Sequence, residues 1–129
     1  DLVLDEFFES LELYYTVQIE ISNKSDFKTL NSHFQLAIYR IIQELCSNSI
    51  KHGMSSKIKI SFSVNKGNLD FYYSDNGKGF NIDNYNTSRM GIANIYYRVF
   101  QFGGDLDLKS AKKMGVNYYF SFPLSKISK

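Results

Sequence analysis

Apolar residues recur at helical intervals from the start of the chain. Leu4, Phe7, Phe8, Leu11 and Tyr15 fall on one stripe and predict an amphipathic helix. The period then drops to two. Tyr15, Val17, Ile19 and Ile21 alternate with polar residues and predict a strand, closed by the polar turn 22–25. Asn31 or Ser32 can cap a long helix running to about His52, with Phe34, Ile38, Ile41 or Ile42, and Leu45 as its buried stripe and Gly53 as its stop.

The next pattern is β. Ile58, Ile60, Phe62 and Val64 alternate with Lys57, Lys59, Ser61 and Ser63; an Asn-Lys-Gly-Asn turn comes next at 65–68; Leu69, Phe71 and Tyr73 alternate on the return. A polar loop, 75–90, carries Gly77 and Gly79. Ile92, Ile95, Val99 and Phe102 predict a further helix, ended by Gly103 and Gly104. Leu106 and Leu108 begin another strand, and Val116, Tyr118, Phe120 and Phe122 make the last one. Strands joined by tight turns pair antiparallel, and each has one apolar face for helices to cover. The predicted fold class is therefore an α/β (α+β) two-layer sandwich, a mostly antiparallel sheet covered on one face by helices.

Composition narrows this further. A chain of 129 residues with no repeat, no low-complexity tract and one proline, Pro123, reads as a single domain over 1–129. It starts at Asp1 without a signal-peptide pattern, which leads to the expectation of a piece of a longer protein. No apolar run approaches the roughly 18–20 residues of a membrane-spanning helix. A net charge of +2 is too small to point to nucleic acid or a membrane surface as partner. The single cysteine, Cys46, excludes an internal disulfide and a cysteine-based zinc cluster, and its mid-helix place predicts an inert core thiol.

Two groups of residues could carry chemistry. On the long helix Glu44, Asn48, Lys51 and His52 succeed one another at intervals of four, three and one, on one side. That side is either a solvated polar face or a wall bearing a carboxylate, an amide oxygen and cations, which suits a magnesium ion and a phosphate chain. Asp75 shares a strand face with Leu69, Phe71 and Tyr73, so it points inward at the strand's end. It is either an Asp-Asn-Gly turn residue bonding its own loop or a carboxylate at the floor of a pocket, able to accept from a ligand amino group. Gly77 and Gly79 would let backbone pass close to a flat ligand. Gly91 opens a helix whose free N–H groups favour phosphate oxygens, or is a simple hinge. His33 and His52 do not form a metal pair, and His52 in a last helical turn suits the helix dipole. No serine nucleophile elbow, HExxH pair or Walker-type loop is present.

These parts occur in a recognisable order. Residues 39–52, Tyr-Arg-Ile-Ile-Gln-Glu-Leu-Cys-Ser-Asn-Ser-Ile-Lys-His, resemble the N box of the histidine-kinase ATP-binding domain, most closely the nitrate-sensor/desaturase-sensor branch. Residues 75–80 resemble the G1 box, 91–104 the G2 box with its helix, and 115–124 the terminal hairpin. The resemblance implies the Bergerat fold and an ATP- and Mg²⁺-binding catalytic domain of a two-component sensor histidine kinase. On that likeness Asp75 would receive the adenine amino group, with Gly77 and Gly79 beside the base. Asn48 would hold Mg²⁺, Lys51 would contact phosphate directly, Gly91 would belong to the lid end near the phosphates, and His52 and Ile92 would be among the ATP-binding residues. Glu44 and Asn48 would be the catalytic pair. The implied partners are an acceptor-histidine dimerisation domain of the same parent and a response regulator. The piece itself would be monomeric, cytoplasmic and part of a parent anchored in the inner membrane. A nucleotide-blind interaction module and a clamp-type ATPase fragment are the alternatives. The chain departs from the pattern at Arg89-Met90, where the second box lacks its first glycine, and at Val116-Asn117, where hydroxyl residues are common. Its lid segment, 81–90, is short and polar, and Arg89 is a candidate substitute phosphate contact.

Overall fold

The computed structural model describes residues 2–79 and 91–129. The expectations placed on Phe80, on the lid segment 81–90 and on Arg89 lie outside the described residues. The chain runs α1 (Leu2–Tyr14), β1 (Gln18–Lys24), a 3₁₀ turn (Phe27–Thr29), α2 (Ser32–Ser47), a π-helical turn (Asn48–His52), β2 (Lys57–Asn65), β3 (Asn68–Asp75), α3 (Ile92–Gln101), β4 (Asp105–Ser110), β5 (Val116–Pro123) and a short α4 (Leu124–Ile127). The 3₁₀ turn and α4 are too short to have shown as periodicity.

The five strands form one sheet in the order β1-β2-β3-β5-β4. β1 runs parallel to β2, and every other pair is antiparallel. A parallel pair needs a crossover, and α2 supplies it. The β2–β3 turn has Lys66 and Gly67 both left-handed, with φ of 51° and 81°, the conformation of a tight hairpin whose twist matches its strands.

Alternation decides the two faces. Ile58, Ile60, Phe62, Leu69, Phe71, Tyr73, Val116, Tyr118, Phe120 and Phe122 are buried, while Lys59 on the same sheet points out to solvent. Phe62, Phe71 and Phe120 are direct cross-strand neighbours, stacked at 4.6 and 4.7 Å. These three rings form a ladder across the sheet, and each contributes about 1.5–3 kcal/mol by burial. Phe34 of α2 meets Phe122 edge-on at 4.8 Å and Phe102 at 5.3 Å, which fixes the start of that helix on β5 and beside the end of α3.

The N-cap of α2 is Asn31, whose Oδ1 accepts from the Phe34 N–H at 2.8 Å. The predicted stripe Phe34, Ile38, Ile41, Ile42 and Leu45 is buried, together with Ala37 and Cys46. Three expected apolar positions are only partly realised. Tyr15, 42% exposed, lies between α1 and β1 rather than in either. Ile21 is 44% and Val64 49% exposed; Ile21 lies on the edge strand and Val64 next to the β2–β3 turn. Among the described residues no helix is long and apolar enough to cross a membrane.

Candidate functional site

The site forms where α2 ends, β3 ends and α3 begins. Asp75 is the last residue of β3, paired with Ile58 on one side and Val116 on the other. Its carboxylate turns inward, as parity required. Oδ1 accepts from the Gly77 N–H at 3.0 Å and from the Val116 N–H at 3.1 Å. Oδ2 accepts from the Ser49 hydroxyl at 2.6 Å. Asp75 is therefore a turn residue bonding its own loop, and its half-buried carboxylate also takes a bond from the helix side through Ser49.

Behind Ser49 stands Tyr73, its phenol oxygen 2.6 Å from the Ser49 Oγ. A carboxylate only accepts, so the serine proton goes to Asp75 and the Tyr73 hydroxyl donates to Ser49. Cys46 hydrogen-bonds Tyr73 in turn; burial pushes its thiol up to about 12, against the opposing effect of that bond. Burial, then the neighbouring Cys46, raise the Tyr73 phenol well above its ordinary value. Tyr73 and Ser49 thus form a line of neutral hydroxyls directed at one carboxylate, with the buried Cys46 thiol beside Tyr73.

The long helix does not continue as one α-helix to His52. It becomes π-helical at Asn48, where the Gly53 N–H bonds the Asn48 carbonyl five residues back at 2.8 Å. Glu44 and Asn48 are still stacked one turn apart, the Asn48 N–H on the Glu44 carbonyl. The widened turn buries Asn48 and Ser49 and leaves Lys51 and His52 exposed. The single polar side expected from regular spacing is therefore split, with two residues facing in and two at the rim. Nor is Gly53 the left-handed stop expected of a helix end. Its φ is −85°, and the left-handed residue is Met54. Gly53 is needed for space, since a Cβ there would lie 2.9 Å from the Ser49 carbonyl.

Close backbone approach accounts for Gly77. A Cβ at Gly77 would lie 2.5 Å from the Ser55 Oγ and 2.6 Å from the Gly53 carbonyl. The loop is held there by the Lys78 N–H on the Gly53 carbonyl at 2.8 Å. Asn76 Oδ1 adds bonds from the N–H groups of Ser56 and Lys57, at 3.0 and 2.9 Å. Gly79 is left-handed, with φ 63°, and presses against the carbonyls of Ala111 and Gly115 in the turn before β5. Gly91 caps α3 and lies directly on the Glu44 carboxylate, so α2 and α3 meet at that pair. Ile92 is 1% exposed in the core; what it can offer a ligand is its backbone N–H at the helix start.

Asp75 and Gly77 are bonded to each other and Asp75 reaches α2 through Ser49, the neighbour of Asn48; Glu44 meets Gly91 one turn earlier on the same helix, and Lys51 and His52 are exposed in the π-helical turn that follows. Sequence patterns did not single out Ser49, Tyr73 and Asn76 as site residues, although Ser49 adjoins Asn48 and Tyr73 shares the strand face of Asp75. Glu44 and Asn48 supply a carboxylate and an amide oxygen, the donor chemistry of a hard divalent cation. Among the described residues no cluster of three or more His, Cys, Asp or Glu could hold a metal alone. A cation here would complete its shell from phosphate and water.

Residues 34–126 match the sequence profile of the histidine kinase-, DNA gyrase B- and HSP90-like ATPases. The chain is 26% identical over 122 residues to the sensor histidine kinase LiaS of Bacillus subtilis, covering 95% of this chain and 32% of that protein. It is 30% identical over 89 residues to the sensor protein VraS of Staphylococcus saprophyticus, covering 69% and 26%. It therefore spans a third or less of the length of these curated relatives. Among solved structures, Acinetobacter baumannii histidine kinase AdeS superposes with a TM-score of 0.70 at 18% identity, over 94% of this chain and 60% of that one. The catalytic domain of histidine kinase ThkA gives 0.69 at 15% identity, over 94% and 86%. At such identities the structural likeness concerns the fold.

Proposed function

The chain belongs to the family of histidine kinase-, DNA gyrase B- and HSP90-like ATPases, and from that premise we propose that it is the ATP- and Mg²⁺-binding catalytic domain of a sensor histidine kinase. It would present the γ-phosphate to a histidine on a separate dimerisation domain of the same parent, for onward transfer to a response regulator. The parent would be a membrane-anchored sensor with this domain on the cytoplasmic side.

The observation that carries the proposal is the Asp75 carboxylate, held by two backbone N–H groups on one oxygen and by Ser49 on the other. A carboxylate fixed in that way can accept from the exocyclic amine of adenine without reorganising, which is the source of its selectivity. From the base, the ligand would run along α2 towards Asn48 and Glu44, with the phosphates near the α3 start at Gly91 and Ile92. Magnesium, when bound, neutralises phosphate charge and draws the chain into one geometry. Asn48 would hold it, with the Glu44 carboxylate one helical turn away. Lys51, exposed in the π-helical turn, brings a flexible cation to the phosphates, and His52 flanks it. Gly77 and Gly79 keep side chains out of the plane of the base. Phosphoryl transfer asks mostly for positioning and charge neutralisation, and these residues supply both.

The test is titration of the folded chain with MgATP and MgGTP. Binding of the adenine nucleotide with clear preference over the guanine nucleotide supports the reading. Absence of binding at millimolar MgATP would instead favour a nucleotide-blind interaction module. Steady-state hydrolysis by the chain alone would favour a clamp-type ATPase, with Glu44 as base.

A further inference from the structure

Tyr118 carries one of two buried side-chain oxygens that lack a hydrogen-bond partner among the described residues. The residue is 2% exposed. It stands on β5 opposite Tyr73, the rings edge to face at 6.0 Å. Val116, whose N–H holds Asp75, is two residues away on the same sheet face. Burial, then Asp75, Tyr96 of α3 and Glu44 of α2, push the phenol pKa up. The hydroxyl thus belongs to a ring on the helix-covered face of the sheet, on the strand whose Val116 N–H holds Asp75.

A buried hydroxyl with no acceptor is unfavourable, and phenylalanine would fill the same volume without the penalty. The other inward residues of β5, Val116, Phe120 and Phe122, are all apolar. A polar atom orphaned in such company needs an explanation. The donors around Asp75 are already committed: the N–H groups of Gly77 and Val116 to Oδ1, the Ser49 hydroxyl to Oδ2. Asp75 itself only accepts. A 6-aminopurine offers a donor on its amine and an acceptor at the adjacent ring nitrogen, and a carboxylate can satisfy only the first. The second orphan, Ser55 Oγ, is packed against Gly77 and Gly53.

We propose that the Tyr118 hydroxyl is the donor half of the base-reading pair, giving its proton to the purine ring nitrogen beside the amine, directly or through one buried water. This rests on the nucleotide reading above and adds to it a specificity-determining residue that the N-box and glycine-box patterns do not contain. In the free protein the hydroxyl is unsatisfied; the nucleotide supplies its acceptor.

The experiment compares the full chain with Tyr118→Phe by thermal unfolding without ligand and by calorimetric titration with MgADP and with the 1-deaza analogue of MgADP, which lacks that ring nitrogen. Removing an orphan hydroxyl raises the unliganded Tm by about 3 °C. The same change lowers ADP affinity roughly three- to ten-fold. The 1-deaza ligand binds the wild-type chain more weakly than ADP, and binds the variant no more weakly than ADP does. Tyr118→Phe binding ADP as the wild type does would overturn the proposal, and so would a lowered Tm, which would mean that the hydroxyl is bonded within the protein. A wild-type chain that binds no ADP would instead remove the nucleotide reading itself.

Discussion

Ser49 and Asp75, 26 residues apart in the chain, are joined by a hydrogen bond of 2.6 Å. The bond ties the π-helical turn to the end of β3. It exists because the helix changes pitch at Asn48: Gly53 bonds back five residues rather than four, and the widened turn buries Ser49 above Tyr73. The local irregularity of α2 therefore sets the direction of the carboxylate proposed to read the base.

Ser49→Ala removes that tie and leaves the buried Tyr73 hydroxyl without its acceptor. Chemical denaturation is expected to show a loss of about 1–3 kcal/mol. ADP affinity falls with it, while Ser49→Thr, which keeps the hydroxyl, restores both. Equal ADP affinity in Ser49→Ala and wild type would show that Asp75 needs no help from the serine.

Asn48→Ala bears on the proposed metal rather than on the base. In titrations with and without Mg²⁺, the wild type is expected to bind ATP more tightly with the ion. The variant loses most of that difference and keeps its affinity for adenosine, which has no phosphates to engage a cation. An unchanged magnesium dependence would take Asn48 out of the metal site.

Cys46 gives a prediction about alkaline pH. Its thiol is raised in the folded state from an ordinary value of 9.0 to about 12. The native state thus holds its proton over a range where the unfolded chain has released it, and stability falls as pH rises. The contribution is present below pH 9 and is lost progressively between 9 and about 12, with the raised Tyr73 phenol acting in the same direction. Urea unfolding midpoints measured from pH 7 upward are expected to decline through this window. A maleimide should leave Cys46 unmodified in the folded chain at pH 8 and modify it in denaturant.

Much of the fold was legible because alternation is a strong signal wherever one sheet face is buried. Ile58 through Phe62, Leu69 through Tyr73 and Val116 through Phe122 all carry it, and the same parity located Asp75 correctly on the inner face. On the edge strand and next to the β2–β3 turn the signal overstated burial, at Ile21 and Val64. The helical spacing of Glu44 and Asn48 was legible too, since Glu44 lies where α2 is regular and Asn48 still bonds back to it. The segment from Ser49 to Gly53 was not. A π-turn shifts Lys51 and His52 relative to the α-helical face, and no residue type announces it. Gly53 looked like a left-handed cap, but its role is close packing against Ser49, which depends on a contact that only the folded chain makes. Ser49 was not singled out and Tyr73 was read only as an inner-face residue for the same reason: their contribution is a hydrogen bond across distant segments. Val116, at a place where hydroxyl residues are common, contributes through its backbone N–H instead, and side-chain patterns carry no record of that.

The most direct test of the proposed base site is calorimetric titration of MgADP into the wild-type chain and Asp75→Asn. The asparagine keeps a carbonyl oxygen to accept from Gly77 and Val116, so the end of β3 should remain folded, as circular dichroism and an unchanged cooperative melt would verify. It places an NH₂ group where the carboxylate accepted, facing the amine of the base. Measurable binding by the wild type and a loss of about 2–3 kcal/mol in the variant are expected. A folded Asp75→Asn that binds MgADP as tightly as the wild type would contradict the assignment of Asp75 to the base.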